Sequence, residues 1–534
     1  MMKTKRTVSV LLVAALSLTA FTACQKKEAQ TMVSGGSEVK YNGDKIYPIE
    51  CEDTLTLWMP LNSIQTTMAS NFGDFEIAKE IEKKTGIKVE YSHPATGMDQ
   101  EQFNLMLASD DLPDIIKGNW HGYGAEKAIK EGYIAKLNDR MKDWAPNLKK
   151  LLDENAELDK QVKTDEGSYY VFPFVRGDEK LCVYGGPIVR KDWLDKLGME
   201  VPETIDEWDT MLQRFKDELG AEIPLALNMG NLYSGVFIGA YGITDGLYVD
   251  DKGKVQYGPA RPEYKEFLTK MNDWYNRGLL DKNFPSIDTK ILQSYVLNDK
   301  TGATYGLAGG GIGSLLSAGA NKDGFDLAGA KYPVAKKGER AKFSQWDHQY
   351  TYGSSFAISA KTKNPELAMR FLDYGYGEEG QMVYNYGVEG VSYEMIDGKP
   401  TFTDFIMKNP DGTAYTSMLS AYSVTSSSGP SVQHLAISDA QRPYQQQKDA
   451  GEVWSNTDAK KHAMPIVALT NEENDRLANI RAEIVTYKQE MQYAFIMGTE
   501  PLSKFDDYIK QLKTMGIDTM IEVYQAAVDR YNSR

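Results

Sequence analysis

The chain has 534 residues, 42% of them hydrophobic, with 75 acidic against 60 basic side chains and a formal net charge of −15. That length can bury cores for two large lobes or three ordinary domains, and the composition is that of a globular protein. A uniformly acidic body is repelled by phosphate backbones and anionic headgroups, so no nucleic acid is expected as a partner, and the plain meaning of the charge is solubility.

The first element is a leader. Lys3, Lys5 and Arg6 precede an uncharged run over residues 8–20 and then Phe21-Thr22-Ala23-Cys24. A positive segment, an apolar segment too short for a stable span and small residues before a cut describe an export signal over residues 1–23. The ending looks like a lipobox, with Phe21 where leucine is usual, which makes Cys24 the expected lipidation site; the alternative is an ordinary secretory cut with Cys24 incidental. Residues 24–52 would be the lipidated cysteine and a flexible tether, with Lys26-Lys27, Ser34-Gly35-Gly36-Ser37 and no apolar periodicity. A lipid on a polar leash holds a protein at the outer face of a membrane. Losing Lys3, Lys5 and Arg6 takes the net charge from −15 to −18. Cys51 and Cys182 lie far apart and outside any C-x-x-C spacing, consistent with one disulfide or with two free thiols.

From Thr54 the pattern alternates. Residues 54–59 are strand-like; residues 75–85 put Ile77, Ala78 and Ile81 on one helical face, with Gly86 placed to end it. Residues 87–91 form a second strand. Asp99 with Gln102 predicts a capping-box start for a helix carrying Phe103, Met106 and Leu107, and residues 112–116 form a third strand. Strand, helix, strand, helix, strand with short connections implies a parallel sheet covered by helices. Further on, Thr204-Ile205-Asp206-Glu207 is a capping box ahead of Trp208, Leu212 and Phe215, and Asn364-Pro365-Glu366 opens a helix carrying Leu367, Phe371 and Leu372. Ile521, Tyr524, Val528 and Tyr531 form a C-terminal stripe. Glycines 306, 309, 310, 311 and 313 match neither a dinucleotide loop nor a phosphate loop. They mark either a backbone in close approach to a ligand or a neighbouring lobe, or a flexible turn.

Leu112-Pro113-Asp114-Ile115-Ile116, Gly186-Pro187-Ile188-Val189-Arg190-Lys191-Asp192-Trp193-Leu194-Asp195-Lys196-Leu197-Gly198 with Val201-Pro202-Glu203-Thr204, and Phe356-Ala357-Ile358-Ser359 with Asn364-Pro365-Glu366-Leu367-Ala368 stand in order behind this leader. Together they resemble the family 1 extracellular solute-binding lipoproteins of ABC sugar importers, along nearly the whole mature chain. The resemblance implies an α/β, periplasmic-binding-protein-like fold of two lobes with hinge strands, closing on a ligand in the cleft between them. It divides the chain into a first part of lobe 1 over residues 53–176, a first part of lobe 2 over 177–345, a return to lobe 1 over 346–400 and a remainder over 401–534, mostly lobe 2 and C-terminal helices. Crossings are expected near residues 174–187 and 346–356. Gly387-Val388-Glu389-Gly390 with Tyr393 looks like the large subgroup that tends to serve oligosaccharides. The related alginate-oligosaccharide group carries a calcium loop; residues 163–168 lack its alternation of Asp and Asn, so no structural calcium, metal or cofactor is expected.

Sugars present apolar faces ringed by hydroxyls, so their sites need aromatic platforms edged by bidentate polar groups. Three clusters qualify: Trp58 with Asn62; Trp120, His121 and Tyr123 beyond the third strand; and Trp346, Asp347, His348 and Tyr350 at the second crossing. Trp120 and Trp346 are expected to stack on sugar rings, with Asn62, His121, Asp347 and His348 bonding hydroxyls. Arg176 and Asp347 form either a bidentate sugar contact or an interlobe salt bridge. Tyr233, Tyr305, Tyr386 and Glu389 are added from position, whereas Trp208 and Trp274, at helical apolar positions, read as core. The expectation is a non-enzymatic, monomeric receptor that hands an extracellular carbohydrate to a membrane permease. A surface glycoside hydrolase or lyase, or a binding protein for peptides or another solute, are the rivals.

Overall fold

The computed structural model describes residue 32, residues 35–43, 45–424 and 429–534. The leader, Cys24 and the side chain of Tyr233 lie outside the described residues. Among the described residues no helix is long and apolar enough to cross a membrane.

A four-stranded sheet organises the first core. Thr54–Trp58 pairs in parallel with Lys88–Ser92 on one side and with Ile115–Gly118 on the other, and Ser355–Ile358 adds antiparallel to Ile115–Gly118. The helix Glu76–Thr85 buries Ile77, Ala78 and Ile81 and ends on Gly86 in the left-handed region, where the absent side chain removes the steric penalty. The helix Asp99–Ser109 forms without the predicted capping box: Gln102 Oε1 instead accepts from the backbone N–H of Ala95, tying the helix to the preceding turn. The helix Pro365–Asp373 returns to this core with Leu367, Phe371 and Leu372 inward.

The second core is built around Gly185–Arg190, flanked antiparallel by Ala303–Leu307 and Leu327–Gly329. Thr204 and Glu207 exchange both capping-box hydrogen bonds at the start of Ile205–Leu219. Trp208 and Trp274 are fully buried there. The C-terminal helix Ile517–Asn532 seats Ile517, Met520 and Val523 in this core and also buries Val528 and Tyr531, while Ile521 and Tyr524 stay half-buried. A third core, which includes Ile188, Ile312, Leu316 and Trp454, underlies the glycine-rich turn. That turn makes a close approach to neighbouring chain: a Cβ on Gly313 would lie 2.3 Å from Gln447 Nε2, and one on Gly311 3.1 Å from Gly306. Residues 386–437 contribute a small fourth core containing Tyr386, Phe402, Met418 and Ile437.

The chain leaves the first core after Val175, rejoins it at Tyr350, leaves after Val432 and touches it again at Ile466, before Leu477 joins the second. These passages lie side by side. Ser431–Gln433 runs parallel to Phe174–Arg176, Val175 bridges antiparallel to Tyr350, and His348 Nε2 lies 2.9 Å from the carbonyl of Met464. Cys51 and Cys182 are both free thiols, and burial pushes Cys182 up to about 12.

Candidate functional site at the interlobe crossing

In the first core, Thr54–Trp58 and Ile115–Gly118 run with their carboxyl ends toward the crossing, since Gly118 pairs with Ser355 just beyond Thr351. In the second, Ala303–Leu307 ends beside Gly185, where the chain has just crossed. The carboxyl ends of parallel strands are where ligands of open α/β folds collect. Both sets of ends therefore face the passages, and side chains alternate along the extended crossing segment to give it two faces.

One face is polar. Arg176 donates through Nη1 to the carbonyl of His348 (2.8 Å) and to Thr351 Oγ1 (2.9 Å), and through Nη2 to Asp347 Oδ2 (2.9 Å). Tyr184 donates its hydroxyl to the same carboxylate oxygen at 2.7 Å. Gln345 extends the network, accepting from the backbone N–H of Tyr184, donating its side-chain amide to the carbonyl of Cys182 and its backbone N–H to Tyr332 Oη. Tyr305 reaches the hydroxyls of Tyr332 and Ser234. Trp346 lies half-buried against the third core. Arg176 and Asp347 form a salt bridge whose Arg side chain is 6% exposed and whose Asp side chain is 42% exposed, so a carboxylate edge still faces solvent.

The other face borders a cavity of about 800 Å³. His121 and Gly122 from the first core, His348 and Tyr352 from the crossing, Met464 to Leu469 from the last passage and Arg481 and Tyr524 from the C-terminal helices surround it. His121 sits edge-on to Tyr352 with ring centroids 5.0 Å apart. Burial, helped by the nearby Arg534 charge, pushes its pKa down to about 4, so the ring is neutral near pH 7. Burial also lowers His348. At the rim, Asp165 pairs with Arg530 and Arg534. Among the described residues no three His, Cys, Asp or Glu side chains are grouped to hold a metal.

Four expected contact residues are corrected by their burial. Trp120 is 0% exposed: Asn119 Oδ1 accepts from Gly122 N and folds the segment into a helical turn, and the indole N–H donates to the carbonyl of Ile116 at 3.1 Å. Its ring packs edge-on to Phe103, which also packs on the buried Trp58. Tyr350 is 1% exposed beside Tyr170, and Tyr386 is 0% exposed in the small core. None of these four has a face to offer a sugar ring. Asn62 is exposed, but its side-chain oxygen caps the turn by accepting from the N–H groups of Ile64 and Gln65. Tyr123 donates to Glu131 Oε2, and Glu389 is exposed at the turn into the Tyr393–Ile396 strand, with no described contact to the Arg176 network. Tyr184 and Tyr332 were not singled out from sequence; the position of Tyr184 inside the expected crossing was the available signal.

Two α/β cores joined by adjacent passages, with a polar and aromatic site at the join, define a hinged binding protein. The chain belongs to the bacterial extracellular solute-binding protein family, whose model matches residues 74–382. Among curated relatives it is similar to a fructooligosaccharide ABC transporter substrate-binding protein, FusA, of Streptococcus pneumoniae, 26% identical with 86% of this chain and 87% of the relative covered. It is also similar to the polygalacturonan/rhamnogalacturonan-binding protein YtcQ of Bacillus subtilis, 26% identical with 61% of this chain and 64% of the relative covered. The fold matches that of the S. pneumoniae FusA structure in complex with kestose, with a TM-score of 0.71, 23% identity, 90% of this chain and 100% of that chain covered. An extracellular solute-binding protein from Bifidobacterium longum subsp. infantis gives a TM-score of 0.73 at 20% identity, with 90% and 99% covered.

Proposed function

We propose that this protein is the substrate-binding component of an ABC importer, capturing an oligosaccharide outside the cell and delivering it to the membrane permease. The observation that carries this reading is the Arg176–Asp347–Tyr184 network at the crossing, with its half-exposed carboxylate. A fixed carboxylate accepts two sugar hydroxyls, while half-buried aromatic rings take the apolar sugar face. Trp346 takes the stacking role, Asp347 the hydroxyl contact, and Arg176 holds Asp347 in place. Contacts from both lobes would favour the closed form over the open one, and ligand then acts by shifting that population. The lobes are assigned as residues 53–176 with 346–400, and 177–345 with most of the remainder. The protein acts as a monomer, alters no bond in its ligand and is held at the outer face of the cell membrane by a lipid on Cys24. The relatives' roles in fructooligosaccharide and polygalacturonan binding support the carbohydrate class.

Titration calorimetry with a panel of neutral and acidic oligosaccharides tests this. Saturable binding that Asp347→Ala weakens at least tenfold is expected. Saturable binding of peptides with no binding of any glycan, or appearance of shortened sugars on prolonged incubation, would overturn it.

A further inference from the structure

The C-terminal helix Ile517–Asn532 is shared between the two lobes. Its first half places Ile517, Met520 and Val523 in the second core, whereas its last turn docks on the short helix Ala156–Val162, whose Leu158 and Val162 belong to the first. Tyr531 is buried there and donates its hydroxyl to Glu157 at 3.0 Å. Its ring centre lies 5.6 Å from the Lys160 ammonium and 4.8 Å from the Arg534 guanidinium.

Arg534, with a side chain only 4% exposed, closes the contact. It donates through Nη1 to the carbonyls of Lys160 and Lys163, both at 2.8 Å, and through Nε to Asp165 Oδ1 at 2.7 Å. The last carbonyls of a helix have no partner inside it, and a basic side chain at that end satisfies them. Arg530 carries the contact back to the second lobe. Its Nη1 and Nη2 donate to the two oxygens of Glu473 at 2.7 and 2.6 Å, Nη2 also to the carbonyl of Ala468 at 3.1 Å, and Nε to Asp165 Oδ2 at 3.1 Å. Glu473 stands in the first turn of Asn471–Met497, whose Leu477 and Ile484 lie in the second core. Asp165 of the first lobe is therefore held by two guanidinium groups more than 360 positions away, a non-covalent link beside the covalent passages.

Asp165, Arg530 and Arg534 all wall the cavity on the second face of the crossing, the face away from the Arg176 network. In a hinge, a rotation about the crossing that narrows the gap on one face widens the gap on the other. The Arg534 bonds leave little slack: a separation of roughly 1 Å at the rim takes them beyond hydrogen-bonding distance. They therefore belong to one arrangement of the lobes and are lost in the other.

We propose that the end of this helix is a tie that opposes lobe closure: Arg534 and Arg530, bound to Asp165, hold the cavity face together and keep the ligand-free protein open on the polar face. This rests on the reading of the polar face as the ligand site of a hinged receptor. Ligand contacts must outweigh the tie, and apparent affinity is reduced by the fraction of molecules the tie keeps open.

The test compares the mature wild type with Arg534→Ala, Asp165→Asn and the double variant, by titration calorimetry with kestose and trigalacturonate and by small-angle scattering. Each single variant is expected to bind the recognised sugar at least threefold more tightly than wild type. Without ligand, its radius of gyration should already be shifted toward the liganded value. The double variant should gain less than the product of the two single effects, because both changes break one contact. Arg534→Lys, which keeps the charge and loses the planar fork, should lie between wild type and Arg534→Ala and serves if the alanine variant does not fold. Unchanged affinity and radius in folded variants, or weaker binding with a larger ligand-free radius, would each overturn the proposal. If neither sugar binds the wild type, the carbohydrate reading loses its support while the ligand-free radius still decides the tie.

Discussion

The guanidinium of Arg176 meets the carboxylate of Asp347 at 2.9 Å across 171 positions of sequence, and the two partners differ sharply in exposure, 6% against 42% for their side chains. The asymmetry separates their roles. Arg176 ties together His348, Thr351 and Asp347 from inside the crossing, while Asp347 keeps an edge open to solvent. Arg176→Met is expected to cost about 2–4 kcal/mol, because it strands buried acceptors. Asp347→Asn, at the half-exposed end, should cost less than about 1 kcal/mol. Denaturant unfolding of the two variants beside wild type checks the order, and equal losses would contradict this division.

Two tryptophans that share a loop-like sequence context differ in consequence. Trp120 fills the first core, so Trp120→Ala should destabilise by about 3–5 kcal/mol, whereas Trp120→Phe should keep ligand affinity within a few-fold. Trp346→Ala should do the reverse, losing tenfold or more in affinity with a melting temperature shifted by only a few degrees. Calorimetry and thermal unfolding on the same three variants separate the roles.

Gly118 sits where a Cβ would come 2.6 Å from the Phe103 ring. Gly118→Ala must push that ring toward Trp58 and Trp120, both of which pack on it, and should cost about 1–3 kcal/mol. A chemical denaturation midpoint equal to wild type would show that the aromatic layer yields freely.

His121 provides a pH prediction. Its folded pKa, about 4, lies below the ordinary value of 6.5, so between those values the unfolded chain holds more protons and stability falls as pH drops through that window. Above about pH 6.5 the effect is absent, and below about 4 it is complete. Allowing for partial solvent screening, the loss should be about 1–2 kcal/mol. Comparing wild type with His121→Gln at pH 7 and pH 4.5 isolates it: the variant should lose less stability on acidification.

Much of the scaffold was legible because its signals are local. Ile77, Ala78 and Ile81 with Gly86, or Thr204 with Glu207, lie within one or two helical turns, and burial merely completes what spacing and capping begin. The crossing was legible only through resemblance, as its hydrogen bonds join residues more than 160 positions apart. Trp120 misled for a physical reason: polar and glycine neighbours suggest a surface loop, but Asn119 turns the chain so that the indole points into the core. Asp99 and Gln102 carry capping spacing, yet Gln102 serves the turn before the helix.

The central claim is that the two lobes close on a saccharide at the crossing. Small-angle scattering of the mature protein with and without a saturating oligosaccharide identified by calorimetry measures this directly. The account predicts a smaller radius of gyration with ligand, lost together with binding in Asp347→Ala; an unchanged radius at full saturation would contradict it.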